Sequence, residues 1–171
     1  GNTEALDDIE ESMDSLTQFA KTMAEAMNMV HTGANQVADS VDFFILDEEN
    51  PSASITVNQV IQSDHSKVLA GVDYDSPEGD GSRALAMARL RNTKLDFTNP
   101  NAELQYNNDM SITDTAGGTT IEDAYGNIVI NVGISKEHSD NVIANQDVLL
   151  GQLEMRREST SGVSINEEVS N

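Results

Sequence analysis

The chain has 171 residues, enough for one domain or one domain with a small appendage. Nine Lys and Arg stand against 30 Asp and Glu, a net charge of −21, which argues against nucleic acid or an anionic membrane as partner because neutralising phosphate needs a basic surface. The absence of cysteine excludes disulfides and thiol catalysis and removes the usual structural zinc ligands, and no apolar run is long enough to span a bilayer.

Hydrophobic residues make up 37% of the chain, but only 4% is aromatic and Trp is absent. A core must therefore come from Leu, Ile, Val, Ala and the seven Met, a supply that suits a narrow helical bundle better than a wide sandwich. No signal peptide is visible at Gly1.

Leu6, Ile9, Met13, Leu16, Ala20, Met23, Met27 and Val30 alternate spacings of three and four, a heptad seam that predicts one long helix ending at Gly33. Acids at Asp7, Asp8, Glu10 and Glu11 suit its start, where the macrodipole favours negative charge. The positions flanking the seam carry no complementary charge code, so the seam is expected to pack on another helix of the same chain. The methionines, concentrated in and beside this helix, read as core filler.

Residues 42–62 change period. Val41 to Leu46 is a short apolar run, Asp47 to Pro51 a turn cluster and Ile55 to Val57 a β-branched run, which together predict a β-hairpin. Ser66 to Ala70 predicts one helical turn, and Asp73 to Gly81 an acidic linker. Ser82 opens a short helix to about Arg91, so residues 63–94 read as a linker and a helix packing on the bundle. Residues 95–117 read as a second hairpin or a loop insertion, with strands over 103–106 and 109–113.

Thr119 to Glu122 offers a capping box. The seam that follows runs through Ile121, Tyr125, Ile128, Val132, Val142, Leu149 and Leu153, with polar residues at its centre. It predicts a helix of about 37 residues and roughly 55 Å. Gly162 is expected to end it, and Ser164 to Glu167 to cap a further helix, making Gly162, Ser164 and Glu167 a hinge. A cap with so little chain behind it suggests a trimmed chain. The expected fold is mainly α with some β, an elongated antiparallel bundle of two heptad helices from residues 1–41 and 118–171.

Motifs for chemistry are weak. His31, His65 and His138 stand apart, and each reads as a surface histidine. The acidic stretch from Asp73 to Gly81 fails as a calcium loop, because Pro77 and Glu78 occupy the positions that need an oxygen ligand and a glycine. Gly117-Gly118-Thr119-Thr120 lacks the lysine of a phosphate loop, and Ser63-Asp64-His65-Ser66 has triad residue types in an order that cannot make triad geometry. No catalytic residue, cofactor or metal site is expected. The positive cluster is Arg83, Arg89, Arg91 and Lys94, four of the nine basic residues within twelve positions. It fits a contact with an acidic neighbouring subunit about as well as pairing with the chain's own acids.

Three blocks resemble the flagellar hook-associated protein 1 family, the first hook–filament junction protein. Leu16 to Phe44 has an Ala-rich helix ending near Asn28, His31 and Gly33, followed by Asp42-Phe43-Phe44. Arg83 to Leu90 resembles the family's Asn-Ala-Leu-Ala helix. Ile121 to Glu168 starts with Asp123-Ala124-Tyr125 and ends with a stretch similar to Ser-Gly-Val-Asn-Leu-Asp-Glu-Glu, with Ser164, Ile165 and Asn166 at the departures. The resemblance covers more than half the chain; residues 98–117 lie outside it.

The resemblance implies a structural, non-enzymatic subunit that assembles with copies of itself into a ring between hook and filament. It implies the hook protein, the second junction protein and a flagellar export chaperone as further partners. It implies an extracellular place on the bacterial flagellum, reached through the flagellar type III export apparatus. It also implies that terminal helices, absent here at both ends, build the polymer's inner tube, so that this chain alone would be monomeric. The competing reading is a free-standing coiled-coil interaction or adhesin module that dimerises through the N-terminal seam.

Overall fold

In the computed structural model the chain is mainly helical, with one two-stranded antiparallel sheet. The structure describes residues 2–168, and side chains for residues 3, 4 and 6–159. Helix α1 spans Asn2–Thr32 and strand β1 Phe44–Ile45. Then come α2 (Pro51–Ser54), β2 (Thr56–Val57) and α3 (Gln59–Ser63). A 3-10 turn at His65–Lys67 precedes α4 (Ser82–Arg89), and a second covers Leu90–Asn92. Helix α5 runs over Ile121–Glu168. The chain divides into a unit of residues 11–130 and a unit of residues 1–10 with 131–171, so the division falls inside both long helices.

The larger unit holds the core. Phe19, Ala26, Val30, Ala86, Leu90, Leu95, Phe97, Ile112 and Ala124 are its buried members, and Met23, Met27, Ile121 and Ile128 pack half-buried against them. Phe19 stacks on Phe97 at 5.3 Å and meets Tyr125 at 5.8 Å between centroids. Here α1 buries a broad face that includes Phe19, Ala20, Ala24, Ala26 and Val30. The expected narrow seam is too thin, because a helix laid on a globular core buries a stripe wider than a coiled-coil line.

Helix α1 ends as the glycine predicts. Gly33 has φ +62, the left-handed conformation that side chains with a Cβ adopt at a cost. Its N–H donates to Val30 O, and Ala34 N–H donates back to Met29 O at 2.8 Å, a Schellman closure. Thr32 Oγ1 donates to Asn28 O and accepts from Asn35 N–H, so two further end groups are satisfied.

The first hairpin forms with Phe44 opposite Val57 and Ile45 opposite Thr56. Its turn contains α2, which Pro51 starts because its fixed φ and missing N–H suit a first helical turn. Asn28 of α1 pairs with the other edge of β1. Its amide nitrogen donates to Phe44 O and its amide oxygen accepts from Phe44 N–H, both at 2.8 Å. The second predicted hairpin reduces to a Tyr106–Ile112 bridge with a tight turn between, and Leu95 bridges Thr119. Thr120, not Thr119, caps α5 by accepting from Asp123 N–H.

Three corrections concern the ends of elements and a histidine. Helix α5 continues through Gly162 and Ser164 to Glu168, so no hinge interrupts its backbone. One glycine costs about 1 kcal/mol in a helix interior, too little to stop a helix with many turns behind it. Ser82 is the first helical residue of α4 rather than its cap, and Asp80 accepts its N–H. The Asp80 carboxyl falls to about 2, chiefly through the bonds from Ser82 N–H and Val72 N–H. Its stabilising share is present above the usual Asp range and lost as pH falls through about 2.

His31 is fully buried rather than on the surface. Its Nε2 accepts from Leu69 N–H at 2.9 Å, which leaves the proton on Nδ1 to donate to Val41 O at 2.8 Å. One neutral tautomer thus ties α1 to the segments before β1 and after α3. Burial lowers its pKa; the Val41 bond opposes this, Arg83 adds to it and Asp42 opposes it.

Two predictions follow from these contacts. A Cβ at Gly118 would lie 2.7 Å from Leu95 O and 2.9 Å from Leu95 C, all rigid backbone. Gly118→Ala should cost about 2 kcal/mol or more in urea unfolding, by forcing the Leu95–Thr119 bridge apart. For His31, the unfolded chain binds a proton near pH 6.5 that the folded chain resists. Its contribution is therefore complete above about pH 6.5 and lost as pH falls toward the lowered folded value. Urea midpoints should drop between pH 7 and pH 5.5, and His31→Gln should flatten that drop while lowering stability at pH 7.

Candidate functional site: exposed apolar helix faces

The sequence singles out two seams, a basic cluster and a hinge; the structure divides these into buried and exposed sets. Val30 is buried, and Met23, Met27, Ile121 and Ile128 lie half-buried on the core. Leu6 is 61% exposed and Met13 62%, and Ile9 and Leu16 are also exposed. Along α5, Tyr125, Val132, Leu149 and Leu153 are exposed, and Val142 is half-buried. Seam members are thus covered where they meet the core of the larger unit and exposed elsewhere.

Within the unit of residues 1–10 and 131–171, the exposed apolar side chains do not share one face. Val148, Leu149 and Leu150 are consecutive and all close to 60% exposed. Successive helical residues project about 100° apart, so these three alone take up more than half the circumference. Ile134, Ile143, Leu153 and Met155 add further exposed apolar area to the same helix. Apolar side chains interspersed with charged ones on several sides of one helix offer contacts in more than one direction. Among the described polar contacts of this unit, Lys136 Nζ pairs with Asp140 at 2.6 Å, and His138 Nδ1 meets Asp8 Oδ2 at 3.2 Å.

The basic cluster separates. Arg83 is 2% exposed and cannot serve as a surface contact, a correction to the sequence reading. Its Nε donates to Gly71 O, Nη1 to Val30 O and to the Tyr106 hydroxyl, and Nη2 to Val72 O. Four of the five guanidinium donors are thereby used on neutral acceptors. The sequence carried no sign of this, because backbone carbonyls leave no residue pattern. Arg89, Arg91 and Lys94 remain exposed. Arg91 meets Glu122 at 3.5 Å with both side chains 77% exposed, a pair worth little.

Two depressions lie in the larger unit. One, of about 740 Å³, runs between α1 and β1 and is lined by Lys21, Glu25, Asn28, Met29, Phe44 and Leu46 among others. The other, of about 610 Å³, has Arg83 and Tyr106 in its lining beside Asp39, Asp73 and Tyr74. Arg83 has little left to offer an anion there, because its donors are already engaged. Among the described residues no three His, Asp or Glu side chains converge on a metal-sized site. Among them, too, no helix is long and apolar enough to cross a membrane. Gly162, Ser164 and Glu167 have side chains outside the described set.

No protein-family model matches the chain, and neither does any curated protein or any solved structure.

Truncating Arg83 tests its structural role. Arg83→Met should strip its donors from Gly71 O, Val72 O and Val30 O, of which Val30 O keeps Gly33 N–H, and cost about 3 kcal/mol in chemical unfolding. Arg83→Lys should recover only part of this, because an ammonium on a flexible stem cannot reproduce a fixed fork.

Proposed function

We propose that the chain is a structural subunit that works by assembly, of the kind that joins hook to filament in the bacterial flagellum. The observation that carries the assembly reading is the wide apolar exposure of α5, with Val148, Leu149 and Leu150 pointing in three directions. A lone partner helix covers one stripe; this helix offers contacts to several neighbours at once, as a subunit packed in a tube or ring would. The resemblance in the Ala-rich helix, the Asp42-Phe43-Phe44 run and the α5 ending supplies the flagellar assignment. On this reading its partners are other copies of itself, the hook protein, the second junction protein and an export chaperone. Its place is outside the cell on the flagellum, and it performs no catalysis. The finer architecture that goes with the reading is an elongated antiparallel bundle of the two long helices.

The exposed Leu6, Ile9, Met13 and Leu16 favour a second reading, a coiled-coil module that dimerises through the start of α1. Sedimentation separates the two: a tight symmetric dimer at micromolar concentration supports the module, and a monomer supports the subunit. Immunogold labelling in the source bacterium tests the flagellar assignment. Label at the junction of hook and filament, with filaments shed when the gene is deleted, is the expected result; label elsewhere or normal filaments would overturn it. Leu149→Glu with Leu153→Glu should abolish incorporation and leave the unfolding midpoint within about 0.5 kcal/mol, since both side chains already face solvent.

A further inference from the structure

The groove between α1 and β1 combines apolar walls with three carboxyl groups against a single lysine. Met29, Phe44, Ile45 and Leu46 supply apolar surface, and Glu25, Asp42 and Glu48 stand along it with Lys21. The residue Glu25 is exposed overall, yet the packing around its carboxyl raises its pKa, and desolvation is the cause. Among the described residues Glu25 makes no ion pair. The side chain is thus held where a cation would stabilise it.

The same unit carries the complement. Arg89, Arg91 and Lys94 lie at the end of α4 and in the turn after it, all exposed. Their local ties are slight. Arg91 holds Glu122 only in the exposed pair, Arg89 acts on Asp109 as the weakest influence on that carboxyl, and Asp114 binds the backbone N–H of Lys94 rather than its ammonium. Global charge sharpens the choice. With 30 acids against nine bases, most faces of two copies repel when brought together. A contact between copies meets attraction chiefly where this basic turn lands on acids.

We propose that the groove between α1 and β1 receives the basic turn Arg89–Lys94 of a second copy, the aliphatic stems lying on Phe44 and Leu46 and the cations reaching Glu25 and Glu48. The contact is heterologous: each copy offers a groove to one neighbour and a turn to the other, so it propagates as a ring or filament rather than closing as a dimer. It rests on the assembly reading and names one of that assembly's contacts. Polar and screened by salt, it is weak between free chains and gains strength from the high local concentration inside an assembly.

The absence of native cysteine gives a clean test. The full chain carrying Glu48→Cys is mixed with the full chain carrying Lys94→Cys at high concentration and low salt under mild oxidation. The expected result is a heterodimer cross-link formed at least about five-fold faster than either homodimer. That excess should fall about five-fold on adding Arg89→Gln and Arg91→Gln, or in about 0.5 M salt. All four positions are exposed, and circular dichroism verifies that each variant folds. A heterodimer no faster than the homodimers, or one indifferent to the arginine changes, overturns the proposal. So does protection of the groove by an unrelated basic peptide without any cross-link between copies. Loss of incorporation in the Leu149→Glu/Leu153→Glu chain with no cross-link would sink the groove contact and leave the assembly reading standing. A charge-dependent cross-link with label away from the flagellum would do the reverse.

Discussion

The larger unit depends on one buried guanidinium. Arg83 reaches from the start of α4 to the last turn of α1 and takes Val30 O, while its other donors hold Gly71 O, Val72 O and the Tyr106 hydroxyl. The carbonyl end of a helix carries partial negative charge, so α1 itself acts as part of the counter-ion. No carboxylate takes part in these bonds. The arrangement lets a chain with few large side chains fix three segments with one residue, where a larger core would have used packing. Gly33 lies beside Arg83 with a left-handed φ, where a Cβ would press on Val37 Cγ2 at 3.0 Å.

His31 stands one residue along from Val30 and repeats the logic with a neutral ring. Together they join the end of α1 to residues 41, 69, 71 and 72 through backbone groups alone. Both therefore tolerate change in the side chains of those segments but not displacement of their main chain. Asp80 closes the intervening loop in the same manner, accepting from Val72 and Ser82 N–H. Irregular chain in this unit is ordered by polar side chains, and it contributes Leu95, Phe97 and Ile112 to a core otherwise built on α1, α4 with the turn after it, and the start of α5.

The elements that were legible in the sequence are those governed by local rules. Gly33 stops α1, Pro51 sits in the hairpin turn, and the alternation of three and four marks both long helices. The short strands fell where β-branched and aromatic residues cluster. What escaped depends on long-range placement. Periodicity told which residues lie on one side of a helix, but not whether anything covers that side, and Leu6 and Leu149 are exposed where Val30 is buried. Arg83 and His31 resembled surface residues because their partners are main-chain atoms tens of positions away. Gly162 looked like a stop because a glycine's cost is local, while a long helix spreads it over many bonds. The basic turn is visible as composition; the groove requires knowing that Glu25 and Glu48 line one depression.

The amide of Asn28 has a consequence for how copies can meet. By taking both the N–H and the C=O of Phe44, it occupies the side of β1 that β2 leaves open. An unpaired strand edge is a template for any passing extended chain. Here a single side chain impersonates the missing strand and ends the sheet at two members. Any chain that met β1 on this side would encounter side chains, which can be told apart, rather than main chain, which cannot.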